Sequence, residues 1–205
     1  MQNLNIIPIG ASHEIDDEEA KIGSPPYIIA EGLMVAYYAA KETASAVYSI
    51  AAAVCPTRTD YPLLDADSKS LGTYQKSPKN QFAKKGVVIS PGGAADLNGA
   101  FCPTAVYNVK EKKFIVYYIG KITAGTVYSL CLASGRGYNE LVKNIPGGVV
   151  TAIVTPPAGS TLQLVQPQVM FDKEENLYKL YYTCIVTASG LISTYLATSK
   201  NGYDF

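Results

Sequence analysis

The chain has 205 residues, 48% hydrophobic and 17% charged, a balance that excludes disorder and allows one domain with a real core. Lys plus Arg and Asp plus Glu number 17 each, so with no basic run there is no electrostatic footprint for nucleic acid or an anionic membrane surface. One histidine, His13, and four cysteines without metal-ligand spacing (Cys55, Cys102, Cys131, Cys184) point to neither a metal centre nor a cofactor. The thiols read as small, reduced, buried hydrophobes, a disulfide at Cys102 being the lesser alternative.

Residues 1–24 read as a lead segment. Met1 to Pro8 has no basic start and no long apolar core, so a signal peptide is not expected there. The acidic run Glu14 to Glu19 reads as a solvated, extended entry strand, and it lacks the alternating ligand spacing of a calcium loop.

From Pro25 onward one pattern recurs three times. A hydrophobic run opens at Pro25, Pro103 and Pro167. A tyrosine pair follows at Tyr37-Tyr38, Tyr117-Tyr118 and Tyr181-Tyr182. In each copy the second tyrosine precedes a serine (Ser49, Ser129, Ser193) by 11 residues, and an alanine (Ala53, Ala133, Ala197) lies 4 after it. Ungapped self-similarity of this kind marks stacked supersecondary units. Period-two spacing predicts strands: Phe114, Val116 and Tyr118 on one face, Ile115 and Tyr117 on the other, with Met34, Ala36, Tyr38 and Tyr178, Leu180, Tyr182 as counterparts. The next strand sets Ser129, Cys131 and Ala133 on one face, matched by Ser49, Ala51, Ala53 and by Ser193, Tyr195, Ala197, small enough for another sheet to approach.

Propensity alone makes alanine-rich 36–54 a helix, but its register with the other copies predicts strands. Residues 33–54 are apolar, yet Lys41 and Glu42 interrupt them, so no membrane span is expected. The copies occupy about 25–62, 96–145 and 161–205, with loop-rich spacers at 63–95 and 146–160. Short strands are expected at Gly86–Ser90, Leu141–Ile145 and Val149–Thr155.

Lys179-Leu-Tyr-Tyr-Thr183 followed by Leu196-Ala-Thr-Ser-Lys-Asn-Gly-Tyr-Asp-Phe205 resembles a blade of the five-bladed β-propellers of the arabinanase, invertase and levansucrase group of glycoside hydrolases. The resemblance covers roughly 25–205 and implies an all-β, propeller-like fold. Three blades use the whole chain, whereas a closed propeller has at least four. It also implies carboxylates at or just before the blade-opening prolines, at least two in all, one to protonate the leaving oxygen and one to attack or activate water. Here those places hold Gly23-Ser24, Phe101-Cys102 and Val165-Gln166. Asp96 is the nearest candidate acid, and its plainer reading is a turn aspartate capping Asn98-Gly99. Glu14, Asp16 and Asp17 reach a funnel only if the lead strand lines it.

The expectation is therefore a non-catalytic module that binds glycan or serves as a structural unit. The alternative is an active glycoside hydrolase with displaced carboxylates. Loop tyrosines Tyr61, Tyr74 and Tyr138 are the candidate glycan contacts, because exposed aromatic faces stack on sugar rings. The leader-free start and neutral, Tyr/Gly/Ala-rich composition suit a virion appendage assembled in a host cytoplasm. Lys179 stands where the other copies have Val35 and Ile115, so the third blade is expected to be partly wet. Further chain or another subunit is expected to cover it, across small-residue faces such as Ser193 and Ala197.

Overall fold

A computed structural model of the chain describes residues 18–22, 27–30, 32–42, 47–56, 75–76, 86–122, 127–143, 153–165 and 167–205, and every regular element among them is a β-strand. Three antiparallel sheets result. In the first, β1 (Glu18–Ile22) and β2 (Tyr27–Ala30) pair with one edge of β3 (Leu33–Glu42). β4 (Ser49–Pro56) takes the other edge and is followed outward by β5 (Gln75–Lys76) and β6 (Val87–Ile89). The second sheet is a meander of β7 (Ala100–Asn108), β8 (Lys113–Lys121), β9 (Tyr128–Gly135) and β10 (Val142–Lys143). In the third, β11 (Ser160–Leu162) and β12 (Gln168–Asp172) pair with one edge of β13 (Leu177–Val186), and β14 (Ile192–Ser199) pairs with the other. Each sheet is one propeller blade.

The innermost strand of every blade is interrupted at the repeated proline. Proline has no N–H for the ladder, so pairing must lapse around it. In blades one and three the inner edge is split, β1 from β2 and β11 from β12, with Pro25-Pro26 and Pro167 in the gaps. In blade two β7 is continuous, but its pairing slips between Phe101 and Thr104, and Cys102, ahead of Pro103, takes a left-handed φ of 47°. The proline thus stands within the inner strand rather than at its start. The end of the expected lead segment, Glu18–Ile22, pairs with β3, and Ser160 at the end of the expected spacer opens β11.

Other local expectations meet the structure as follows. Val87–Ile89 and Val142–Lys143 are strands, whereas 153–155 is not, and 149–152 lie outside the described residues. The alanine-rich stretch is strand on both arms, β3 and β4. Its propensity is overridden because Ala36, Ala39, Ala51 and Ala52 are wholly buried between packed layers that only a flat, two-sided element can serve. Among the described residues no helix is long and apolar enough to cross a membrane.

Blade two is the middle of the stack. Phe114, Val116, Tyr118, Cys131 and Ala133 pack against Val35, Tyr37, Ala39, Ile50 and Ala52 of blade one. Ile115, Tyr117, Ile119, Leu130 and Leu132 pack against Leu180, Tyr182 and Cys184 of blade three, with Tyr195 and Ala197 alongside. Small groups opposite tyrosines let the sheets interdigitate. The Ala197 face is therefore turned toward blade two, the reverse of the expectation. The exposed face of blade three instead carries Met170, Tyr181, Ile192 and Leu196.

In blades one and two the first tyrosine of the pair clasps the next blade. Tyr37 Oη donates to the carbonyl of Tyr138 at 3.0 Å, and Tyr117 Oη donates to the carbonyl of Gly202 at 2.7 Å. Both acceptors lie in the Gly-Tyr turn that follows the blade's third strand (Gly137-Tyr138, Gly202-Tyr203). Gly202 has φ 82°, and a Cβ there would stand 3.2 Å from Tyr117 Oη and 3.3 Å from the Tyr178 ring, so the turn needs glycine to present its carbonyl. Tyr117→Phe removes one buried hydrogen bond and strands a carbonyl. It is expected to cost about 1–2 kcal/mol in urea unfolding, and Tyr37→Phe a similar amount.

Candidate functional site

The inner strands of adjacent blades contact one another, β2 with β7 and β7 with β12. The axial positions just ahead of Pro103 are filled by hydrophobic groups. Phe101 and Cys102 are buried in the blade two–three core, and the Phe101 ring lies 4.9 Å from the ring of Tyr48. Tyr48 offers its carbonyl to the amide of Ala100 at 2.9 Å, and Lys41 Nζ sits 5.8 Å from its ring centre. Farther along, Thr104 Oγ1 accepts the amide of Val169 at 3.4 Å, tying blade two to blade three. Burial pushes the Cys102 thiol up to about 11. Cys131 is pushed up to about 12, by burial first and then by the nearby Asp96. Cys102, Cys131 and Cys184 are free thiols, and the side chain of Cys55 lies outside the described residues.

Asp96 is fully buried and every lone pair has work. Its carboxylate accepts the amides of Gly93 at 2.7 Å and Gly92 at 3.2 Å, and the Tyr118 hydroxyl at 2.9 Å, while Lys143 Nζ of β10 pairs with it at 2.5 Å. It is a turn residue, with its main-chain carbonyl accepting Gly99 N at 3.1 Å, but its side chain caps Gly92 and Gly93 rather than Asn98. Gly120 makes room for this turn: a Cβ there would lie 2.3 Å from the Ala95 carbonyl oxygen and 2.9 Å from Asp96 Cβ. An acid so enclosed and neutralised pins the 90–99 loop to blade two and has no open side for a substrate.

Tyr138 is half-buried, edge-on to Phe114 at 6.5 Å, and its carbonyl takes the Tyr37 clasp, so it belongs to blade packing. Tyr61, Tyr74, Glu14, Asp16 and Asp17 lie outside the described residues. Among the described residues no group of three His, Cys, Asp or Glu side chains could hold a metal.

A cleft of about 490 Å³ opens at the opposite ends of β7 and β12, where the hairpins of blades two and three stand side by side. Both hairpins are built alike. Asn108 Oδ1 accepts the amides of Lys110 and Glu111, and Asp172 Oδ1 those of Glu174 and Glu175. Lys112 and Asn176 close the two loops at φ 53°. Tyr107, Phe171 and Tyr178 form an aromatic floor, with Lys110, Lys173, Lys200 and Asn176 around it. Glu111, also on the rim, is held by Lys113 at 3.1 Å and by the Tyr203 hydroxyl at 3.1 Å, whereas no carboxylate among the described residues pairs with the three lysines. Sequence reasoning missed this cleft, although the matched Asn108…Lys112 and Asp172…Asn176 spacings could have shown paired hairpins.

Neither a protein-family model nor a curated protein matches the sequence. Solved structures do. A fructan 1-exohydrolase IIa from Cichorium intybus, in complex with 1-kestose, aligns at TM-score 0.62 and 14% identity, over 88% of this chain and 30% of that one. A sucrose-6-phosphate hydrolase from Lactobacillus gasseri gives TM-score 0.62 and 14% identity over 87% and 32%. A glycosyl hydrolase from Bacteroides ovatus gives 0.59 and 14% over 100% and 56%. The chain therefore has the β-propeller fold of glycoside hydrolases and spans about a third to a half of the length of these neighbours.

Two outcomes test the site. Asp96→Asn leaves Lys143 facing a neutral group in a largely buried pocket. It should cost of the order of 3 kcal/mol in thermal or urea unfolding, with part of the loss recovered by adding Lys143→Met. At pH 8 a thiol of pKa about 11 is ionised in roughly one molecule per thousand. Iodoacetamide should therefore spare Cys102 and Cys131 in the native protein, as read by peptide mapping, and label both in urea.

Proposed function

We propose that the chain is a non-catalytic propeller module that engages a glycan at the cleft between blades two and three and works within a larger assembly. The observation that carries the loss of catalysis is the pair Phe101-Cys102. It occupies the axial place of an acid, buried in apolar packing, while glycoside hydrolysis needs two facing carboxylates. The glycan reading rests on the cleft. Its aromatic floor suits the apolar face of a sugar ring, and its donors outnumber its free acceptors, which favours a sugar bearing a carboxylate. The virion-appendage expectation rests on composition alone.

One observation favours the hydrolase alternative. Glu18 and Glu19 belong to β1, the leading half of the inner strand of blade one. Activity on 1-kestose or sucrose 6-phosphate, compounds named with the structural neighbours, separates the two readings.

The expected results are no release of reducing sugar from either compound, and binding of a hyaluronan tetrasaccharide by calorimetry more tightly than neutral chitotetraose. That binding should weaken with salt and fall about tenfold in Phe171→Ala. Hydrolysis abolished by Glu18→Gln would instead establish the enzyme. Folded protein that binds no glycan would leave the structural role.

A further inference from the structure

The clasp repeats twice, and its third member has no turn to reach. Tyr37 and Tyr117 are 0% exposed, each bonded to the Gly-Tyr turn of the following blade, whereas Tyr181, their counterpart in blade three, is 38% exposed. Its neighbours tell the same story. Leu132 on β9 is 1% exposed, and its counterpart Leu196 on β14 is 50% exposed, directly across from Tyr181 in the ladder. The exposed row continues through Met170 on β12 and Ile192 on β14, with half-buried Ile185 of β13 opposite Ile192 in the ladder. The outer edge of β14 also has no partner strand among the described residues, whereas β4 and β9 have β5, β6 and β10.

We infer that this face is a docking surface for a fourth blade of the same type, a sheet whose Gly-Tyr-type turn presents a free carbonyl to the Tyr181 hydroxyl. The inference rests on the reading of the chain as part of a larger assembly and names the partner. A second copy of the chain does not supply that blade. The turn carbonyls of blades two and three are already taken by Tyr37 and Tyr117. The front face of blade one, Met34, Ala36, Tyr38, Ala40, Ala51 and Ala53, is already buried. Charge fits as well. Lys179, on the exposed face, carries its own counter-ions, Asp172 at 2.7 Å and Glu175 at 2.9 Å, and those bonds, Asp172 first, hold its ammonium charged. The cluster needs no opposite charge from the partner, and the centre of the surface, Tyr181 with Leu196, asks for an apolar sheet.

The probe is the full chain carrying a tandem copy of its own residues 146–205 after Phe205, which offers a blade with a free Gly202-type turn. The added blade is expected to raise the midpoint of thermal unfolding by about 5 °C or more, and to slow amide exchange in β14 at least tenfold. It should also suppress self-association of the 205-residue chain at micromolar concentration. Tyr181→Phe should lower the midpoint in the fusion as much as Tyr117→Phe does, and leave the unfused chain unchanged. A fusion whose added blade unfolds separately would overturn the proposal, as would a Tyr181→Phe effect equal in both forms. So would a discrete dimer of the unfused chain abolished by Leu196→Glu, which would make the occupant a second copy. Should the fusion not fold, exchange in the unfused chain decides: β14 amides protected as strongly as those of β9 would equally overturn it.

Discussion

A blade has two faces, and each is dry only when another layer packs against it. That constraint organises the molecule. Blade two satisfies it on both sides: Phe114, Val116 and Tyr118 are closed by blade one, and Ile115, Tyr117 and Ile119 by blade three. The buried residues on β8 run without a break from Phe114 to Gly120, so the strand loses the polar alternation of a half-solvated sheet and reads as a continuous hydrophobic run. β13 of blade three, with one face covered, alternates buried and open positions from Leu177 to Cys184. The burial pattern of the second strand thus reports whether both faces of its blade are covered: β3, whose front face is also buried, is continuous from Met34 to Ala40.

Registration between faces needs more than apolar area, because hydrophobic burial is non-directional. The tyrosine clasps supply direction. A hydroxyl at a fixed height on the second strand meets a carbonyl at a fixed height on the next blade's turn, and glycine at 202 permits the close approach. Each bond is modest in net energy, yet breaking it leaves a buried carbonyl without a partner, so it penalises sliding between sheets more than it rewards contact. The pairing also explains why Tyr-Tyr and Gly-Tyr recur together in the sequence. They are the two halves of one contact between successive copies.

Much of the fold could be read from period-two patterning because the buried strands carry it on long side chains: Phe114, Val116 and Tyr118 against Ile115 and Tyr117. The half-strand β11 could not, and β1 was legible only as an extended entry strand, without its pairing to β3. Glu18–Ile22 and Ser160–Leu162 are short and polar, and they are strands because a neighbouring strand offers them an edge, a tertiary cause without a local signature. The candidate site was legible as an absence. The missing acids before Pro103 were visible, but Phe101 filling the axial place and the cleft of Tyr107, Phe171 and Tyr178 depend on how two hairpins stand side by side, which no single window contains.

Asp96 shows how a buried carboxylate can serve as a structural hub. A catalytic acid must keep one oxygen open to substrate and a protonation equilibrium near the working pH. Asp96 gives one oxygen to two glycine amides and the other to a tyrosine hydroxyl and a lysine ammonium. That arrangement exchanges reactivity for rigidity: four donors from the 92–93 turn, β8 and β10 converge on one group, and Gly120 is kept free of a side chain so that the loop can reach them. The second tyrosine of the repeat, Tyr118, serves here within its own blade, while the first, Tyr117, serves between blades. One dipeptide therefore fixes a blade internally and to its neighbour.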